Sequence, residues 1–145
     1  MGAMENTVNP KLVVRDADAA IAYYVRAVDA ELAQRYTRAD AVVFAELKFL
    51  GASMTLKEED EYDPGPATLG KPGVLLEITT ADPDGLADQM VAAGAQVVFP
   101  IADQPYGARG GRVRDPFGHE WLIQTPLQST PEEIQHAMDE LTAED

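Results

Sequence analysis

The chain has 145 residues, of which 46% are hydrophobic and 25% charged, and these values predict a single globular domain with an adequate core. The formal net charge of -14 argues against a nucleic-acid or anionic-membrane partner, because phosphate binding requires clustered Lys and Arg. The absence of cysteine excludes disulfides, thiolate metal ligands and cysteine nucleophiles.

The N-terminal region shows no export signal. Residues 1–8 are tag-like, because Met1 to Glu5 resemble a leftover expression tag ahead of Met4. The charged and apolar regions of a signal peptide are missing, and no apolar run approaches the roughly 18 residues of a membrane span. These observations predict a cytoplasmic protein without a membrane partner.

A first βαβββ module is predicted over residues 9–57. Lys11 to Val14 is a short apolar strand, and Asp16 and Asp18 follow it at positions suited to capping a helix. The apolar stripe of that helix consists of Ile21, Tyr24, Val25 and Val28. Three further strands are predicted at 32–37, 41–48 and 52–57.

Residues 58–73 are rich in charge, Pro and Gly and predict a linker or mobile flap. A second module over residues 74–126 then repeats the order of the first. Asp82 and Asp84 precede a helix that ends before Gly94, and they lie 66 positions after Asp16 and Asp18. The helix face is predicted to contain Leu86, Met90 and Ala93. The strands are predicted at 74–80, 96–99, 111–114 and 120–125.

Two local motifs end the second module. Asp115-Pro116-Phe117-Gly118 predicts the turn of the last hairpin, and Gly118 lies 67 positions after Gly51. Thr130 and Glu133 then form a capping box for a C-terminal helix over residues 130–142. The apolar stripe of this helix consists of Ile134, Met138 and Leu141.

Together, the two βαβββ modules, the Asp-Pro-x-Gly turn and the Pro-Glu-Glu helix resemble the vicinal oxygen chelate superfamily. This superfamily includes glyoxalase I, extradiol dioxygenases, fosfomycin-modifying enzymes and bleomycin-resistance proteins. Residues 12–16, 102–107 and 112–119 are similar to the glyoxalase and bleomycin-resistance-like branch. The resemblance implies an α+β fold in which two tandem modules form a concave mixed sheet, usually across a homodimer, with pockets lined by inward strand residues.

The enzymes of this superfamily hold a metal through His, Glu or Gln on the first and last strand of each module. By resemblance, the corresponding positions here are Asn9, Thr55, Leu75 and Leu122. Two are aliphatic and two are weak neutral ligands, whereas a divalent metal needs carboxylates or imidazoles. We therefore predict no metal, no cofactor and no catalytic residue of the usual kind.

Strand alternation predicts which side chains share the pocket face. Lys11 and Glu77 occupy repeat-equivalent positions, where they either form an ion pair or flank a ligand. Tyr106, in the loop 104–107, is suited to stacking on a planar ligand, as is Tyr62 in the linker. The predicted ligand-binding residues are Asn9, Lys11, Thr55, Leu75, Glu77, Tyr106, Glu120, Leu122 and Gln124.

Arg109, Arg112 and Arg114 form a basic cluster in an acidic chain, and they have three interpretations. They pair with neighbouring acids, contact a partner subunit, or bind a phosphonate or carboxylate. His119 is interpreted as a residue bonded to the backbone beside the turn, and His136 as solvent-facing.

The leading functional hypothesis is a homodimer that binds a small apolar, aromatic or cationic molecule without a metal. Bleomycin-resistance members of the family act in this way by sequestering an antibiotic. The first alternative is a metal-dependent lyase, transferase or dioxygenase of the glyoxalase type. The second is a metal-free enzyme in which Glu77 or Glu120 acts as a general base.

Overall fold

The computed structural model describes residues 7–144, so most of the predicted tag-like segment, residues 1–6, lies outside the described residues. The chain divides into two compact units, and the boundary between Gly70 and Lys71 falls inside the predicted linker. Each unit contains one βαβββ module with a four-stranded mixed sheet. The α+β architecture of two tandem modules followed by a C-terminal helix is confirmed.

The elements of the first unit are β1 (Lys11–Val14), α1 (Ala17–Val28), β2 (Glu31–Arg38), β3 (Ala41–Phe49), β4 (Ala52–Glu58) and the short α2 (Pro66–Leu69). Those of the second unit are β5 (Leu75–Thr79), α3 (Pro83–Ala92), β6 (Gln96–Asp103), β7 (Arg109–Arg114), β8 (Glu120–Gln124) and α4 (Pro131–Glu144). Among residues 7–144, no helix is long and apolar enough to cross a membrane.

The two sheets have the same topology, with strand orders β1-β4-β3-β2 and β5-β8-β7-β6. In each, the first strand pairs in parallel with the last strand, and the other pairs are antiparallel. Alternate residues pack under the long helix and form the core, as Leu56 and Met54 do under α1 and Ile123 and Trp121 under α3. We call the side of each sheet that faces away from its long helix a distal face. The first distal face belongs to the sheet of the first unit and the second distal face to that of the second unit.

Helix α1 and helix α3 begin in the same way. Asp16 Oδ1 accepts a hydrogen bond from the Ala19 amide at 3.1 Å, and Asp82 Oδ1 accepts one from the Gly85 amide at 3.0 Å. Each carboxylate satisfies an amide that has no partner within the helix. The predicted capping role of these two aspartates is therefore confirmed.

The second aspartate of each pair fastens its helix to the sheet. Arg35 on β2 donates Nε and Nη2 to the two oxygens of Asp18, both at 2.8 Å. Arg109 on β7 donates to Asp84 at 2.7 and 2.8 Å in the same bidentate manner. The guanidinium hydrogen bonds lower the pKa of both Asp18 and Asp84.

The Asp115 carboxylate organises the last hairpin. Its Oδ1 accepts from the amides of Phe117 at 2.9 Å and His119 at 3.1 Å, and its Oδ2 accepts from Trp121 Nε1 at 2.9 Å. Asp115 is only 3% exposed, so these donors replace the water it has lost. Gly118 closes the turn at φ 92°, as the sequence predicts.

The helix faces differ in detail from the predicted stripes. In α1, Tyr23 is buried, whereas Val25 is 43% exposed. In α3, Ala87 is buried with Met90, and the predicted Leu86 is only half-buried. Ala20 and Ala27 of α1 are also buried. Their small side chains allow the helix to lie close to the sheet.

The segment 58–73 contains α2 and several local hydrogen bonds. Glu59 Oε1 accepts from the Gly65 amide at 2.9 Å and from Thr68 Oγ1 at 2.7 Å. A Cβ atom at Gly65 would lie 2.8 Å from the Val13 carbonyl oxygen, so the segment closely approaches β1. Tyr62 in this segment is 82% exposed.

Helix α4 begins with the predicted capping box. Glu133 Oε1 accepts from the Thr130 amide at 2.9 Å, and Thr130 Oγ1 accepts from the Glu133 amide at 3.2 Å. These reciprocal bonds define the start of the helix at Pro131. His136 on this helix is exposed and lies 3.1 Å from Glu140.

Candidate functional site

An aromatic pair lies at the centre of the first distal face. Phe44 on β3 and Tyr36 on β2 are stacked with ring centroids 6.0 Å apart. Lys11 reaches from β1 so that its Nζ lies 4.8 Å from the centroid of Phe44. The Tyr36 ring is the more accessible of the two, since that residue is 56% exposed. The Tyr36 ring thus provides the accessible apolar surface of the pair, and the Lys11 cation lies over Phe44.

A chain of polar side chains continues from this aromatic pair to Glu46. Tyr36 Oη donates to Gln34 Oε1 at 2.9 Å, and Gln34 Nε2 donates to Glu46 Oε1 at 3.0 Å. Ser53 Oγ donates to the other oxygen, Glu46 Oε2, at 2.6 Å. The Ser53 and Gln34 hydrogen bonds lower the pKa of Glu46, so the carboxylate is ionised at neutral pH.

The other predicted residues of the first unit occupy different surroundings. Thr55 lies beside Lys11 in the register of β1 and β4, and it points to the first distal face. Asn9 precedes β1, and its Nδ2 lies 3.5 Å from Thr7 Oγ1. A shallow cavity of about 460 Å³ adjoins the end of this face and is lined by Lys48, Phe49, Gly51, Ala52 and Ser53.

A buried carboxylate between two arginines dominates the second distal face. Glu120 has a side chain only 10% exposed, and its oxygens lie 3.3 Å from Arg112 Nη1 and 3.0 Å from Arg114 Nη2. Arg112 also lies over the Phe99 ring, 5.5 Å from its centroid. The charge of Glu120 is therefore compensated by two guanidinium groups of the same sheet.

A second polar group on this face joins three of the predicted residues. Gln124 Oε1 accepts from Tyr106 Oη at 3.5 Å, and Gln124 Nε2 donates to Glu77 Oε1 at 3.3 Å. Leu75 and Leu122 lie on the same face as Glu77, as the register of β5 and β8 shows. The structure thus brings together Leu75, Glu77, Tyr106, Glu120, Leu122 and Gln124.

The predicted relation between Lys11 and Glu77 stays a prediction. Within the first unit, Lys11 contacts the Phe44 ring. Within the second unit, Glu77 accepts the amide of Gln124. Each side chain is therefore held by its own sheet.

The arginine cluster resolves into two groups of ion pairs. Arg109 binds Asp84 and lies 3.2 Å from Asp103, whereas Arg112 and Arg114 bind Glu120. Pairing with neighbouring acids, one of the three interpretations, is what the structure shows. The Nε atom of Arg112 is buried without a hydrogen-bond partner among the described residues.

The positions that hold metal in enzymes of the resembled superfamily do not fit a metal in this chain. Leu75 and Leu122 offer no lone pair, and Thr55 and Asn9 offer only neutral oxygens. Within residues 7–144, no group of three or more His, Cys, Asp or Glu side chains is arranged to hold a metal ion.

Sequence reasoning missed the residues that β2, β3 and β6 contribute to the two distal faces. For Phe44 and Glu46 a signal existed, because they alternate with the buried Ala45 and Leu47. For β2 and β6 the alternation is interrupted by register shifts, which no sequence pattern marked. The missed residues are Gln34, Tyr36, Phe44, Glu46 and Phe99, whereas Arg112 and Arg114 were part of the predicted basic cluster.

Comparison with known proteins agrees with this architecture. Residues 6–123 match the model of the Glyoxalase/Bleomycin resistance protein/Dioxygenase superfamily. The uncharacterized protein Mb0911c of Mycobacterium bovis is 36% identical over 142 residues, which cover 93% of this chain and 93% of that protein.

Solved structures give the same result. TioX from Micromonospora sp. ML1 superposes with a TM-score of 0.65 at 25% identity, covering 86% of this chain and 99% of TioX. The fosfomycin resistance protein FosX from Listeria monocytogenes superposes with a TM-score of 0.64 at 14% identity, covering 91% and 99% of the two chains. The second likeness concerns the fold alone. On the family match and the Mycobacterium bovis relative, the chain belongs to the glyoxalase/bleomycin resistance protein/dioxygenase superfamily.

Proposed function

We propose that this protein binds a small apolar, aromatic or cationic molecule without a metal, in the manner of the bleomycin-resistance-like branch. The observation that carries the proposal is the pair Leu75 and Leu122 at two positions where enzymes of the superfamily keep metal ligands. An aliphatic pair there favours contact with an apolar ligand and removes the usual route to catalysis.

The composition of the distal faces supports the same function. On the first distal face, the Tyr36 ring offers a stacking surface. On the second distal face, Glu77, Gln124 and Tyr106 form a separate group that offers hydrogen bonds. Few polar groups on an apolar background are typical of small-molecule sites. The formal net charge of -14 favours the approach of a cation.

We further propose that the protein acts as a cytoplasmic homodimer and that its physiological ligand is an antibiotic, which it sequesters. Calorimetric titration of chelator-treated protein with glycopeptide and enediyne-type antibiotics tests this. We expect at least one of them to bind with a Kd well below about 1 mM. Failure of every member of the panel to bind would contradict the antibiotic role.

A further inference from the structure

Glu46 differs from the other buried or half-buried carboxylates of the distal faces in how its charge is held. Both of its oxygens accept hydrogen bonds from neutral groups, the Gln34 amide and the Ser53 hydroxyl. No ion pair within residues 7–144 includes Glu46. The carboxylate is oriented and ionised, yet its negative charge is not compensated by a bonded cation.

Glu46 also has remaining capacity to accept hydrogen bonds. An ionised carboxylate has about four lone-pair sites, of which two are used here. Glu46 is only half-buried, and its donor Ser53 also lines the shallow cavity beside Lys48. The two neutral donors keep the carboxylate in one orientation and reduce the conformational entropy that binding would cost.

The neighbouring rings favour a cation at the same place. Tyr36 is joined to Glu46 through Gln34, and its exposed ring face attracts a cation as well as a planar group. The Lys11 ammonium lies over the Phe44 ring, where it repels a second cation. A cationic ligand is thus favoured over Tyr36 and disfavoured over Phe44.

We infer that Glu46 is a specificity-determining residue that binds the ammonium group of an aromatic amine stacked on Tyr36. The inference rests on the proposed function, since it names the ligand class and the recognising carboxylate within that role. It assigns recognition of charge to β3 of the first module, at a position other than the four metal-ligand positions.

Three probes of matched shape test the inference: 1-naphthylmethylamine, 1-naphthalenemethanol and 1-naphthoic acid. By calorimetric titration at pH 7, we expect the amine to bind the protein about tenfold more tightly than the alcohol, and the acid to bind most weakly. In Glu46→Gln, the amine should lose about tenfold in affinity and become equal to the alcohol. The alcohol itself should bind Glu46→Gln and wild type alike.

Two further variants separate recognition from structural damage. Glu58→Gln changes the same functional group on β4, in register with Val14 on the helix side, and should preserve the preference for the amine. Lys48→Met removes the cation whose charge acts on Glu46, and it should raise the affinity for the amine about twofold without changing that for the alcohol. A selective gain of this sign does not result from misfolding.

The outcomes distinguish the inference from the proposed function. If the amine and the alcohol bind wild type equally, or if Glu46→Gln retains the preference, the inference is overturned and the proposed function stands. If none of the three probes binds wild type, the inference is overturned, and the titration with antibiotics decides the proposed function separately.

Discussion

At equivalent positions of the two modules, 66 residues apart, the first distal face has Phe44 and Glu46 where the second has Gly110 and Arg112. The registers confirm the equivalence, since Glu46 pairs with Thr55 and Arg112 pairs with Leu122. One backbone arrangement therefore presents a ring beside an anion in the first module and, in the second, a cation beside a buried glycine against which Gln124 packs.

The consequence appears in the two half-buried or buried glutamates. In the second module, Arg112 and Arg114 compensate Glu120, and the three side chains hold β7 and β8 together. In the first module, neutral donors hold Glu46, which leaves its charge for a partner. The role of a carboxylate therefore depends more on whether charged or neutral donors bind its oxygens than on its position in the sheet.

The largest expected effect concerns the hairpins that end the two modules. Asp115→Ala removes the acceptor of three donors and should lower the free energy of unfolding by about 3 kcal/mol. In the first module, Gly51→Ala should cost only about 1 kcal/mol. Gly51 has a positive φ, which disfavours Ala, but an added Cβ atom would meet nothing within 4 Å. Urea denaturation measures both. Equal losses would show that the turns are held in the same way.

The second prediction compares the glutamates directly. Glu120→Gln leaves two guanidinium groups beside a neutral amide and should lower the free energy of unfolding by about 2 kcal/mol. Glu46→Gln should have a clearly smaller effect, because its donors are neutral and its charge is unpaired. The same denaturation assay decides. A loss in Glu46→Gln as large as that in Glu120→Gln would assign Glu46 a structural role.

A smaller effect is expected from the ion pair that fastens α3, and it depends on pH. The Arg109 hydrogen bonds lower the pKa of Asp84 in the folded protein, so this carboxylate stabilises the fold above its unfolded pKa, near the ordinary 3.8. The contribution is lost as the pH falls through the folded pKa. Asp84→Asn should therefore be less stable than wild type at pH 6, and the difference should shrink below pH about 4.

Asp88→Asn is the matched control for that measurement, since Asp88 lies on the same helix and, within residues 7–144, Arg109 forms its ion pairs with Asp84 and Asp103 instead. Its stability relative to wild type should change little over the same pH range. A difference for Asp84→Asn that grows on acidification would contradict the assigned sign.

The smallest effect concerns the β2–β3 turn, which has no counterpart of Gly118. Ala39 and Asp40 both adopt positive φ, at 51° and 68°. Ala39→Gly removes the steric cost of a Cβ atom there and should raise the free energy of unfolding by about 0.5 kcal/mol. Thermal unfolding should show the gain. A loss of stability in Ala39→Gly would show that the positive φ of Ala39 costs the folded protein no free energy.

The fold was predictable because its signals are local. The aspartates 66 residues apart, the Asp115 turn and the Thr130 capping box each act over a few residues, and the structure shows each one. The boundaries of β6 were not predictable. The strand continues past Pro100 to Asp103 through two register shifts, where a proline is tolerated because the ladder is interrupted.

The candidate site was predictable only on strands whose pairing register is regular. Alternation along β4, β5 and β8 gave the right face for Thr55, Glu77 and Gln124. The network around Glu46 was not, because it depends on side chains of β2 that meet β3 across an irregular ladder. Such contacts depend on the sheet as a whole.

We propose that this member of the superfamily binds its ligand without a metal, because Leu75 and Leu122 stand where enzymes of the superfamily keep metal ligands. The most direct measurement combines metal analysis of protein purified without chelator with titration of 1-naphthylmethylamine before and after EDTA dialysis. The account predicts no stoichiometric divalent metal and the same Kd in both titrations. One tightly held divalent ion per chain, with ligand binding lost on its removal, would contradict it.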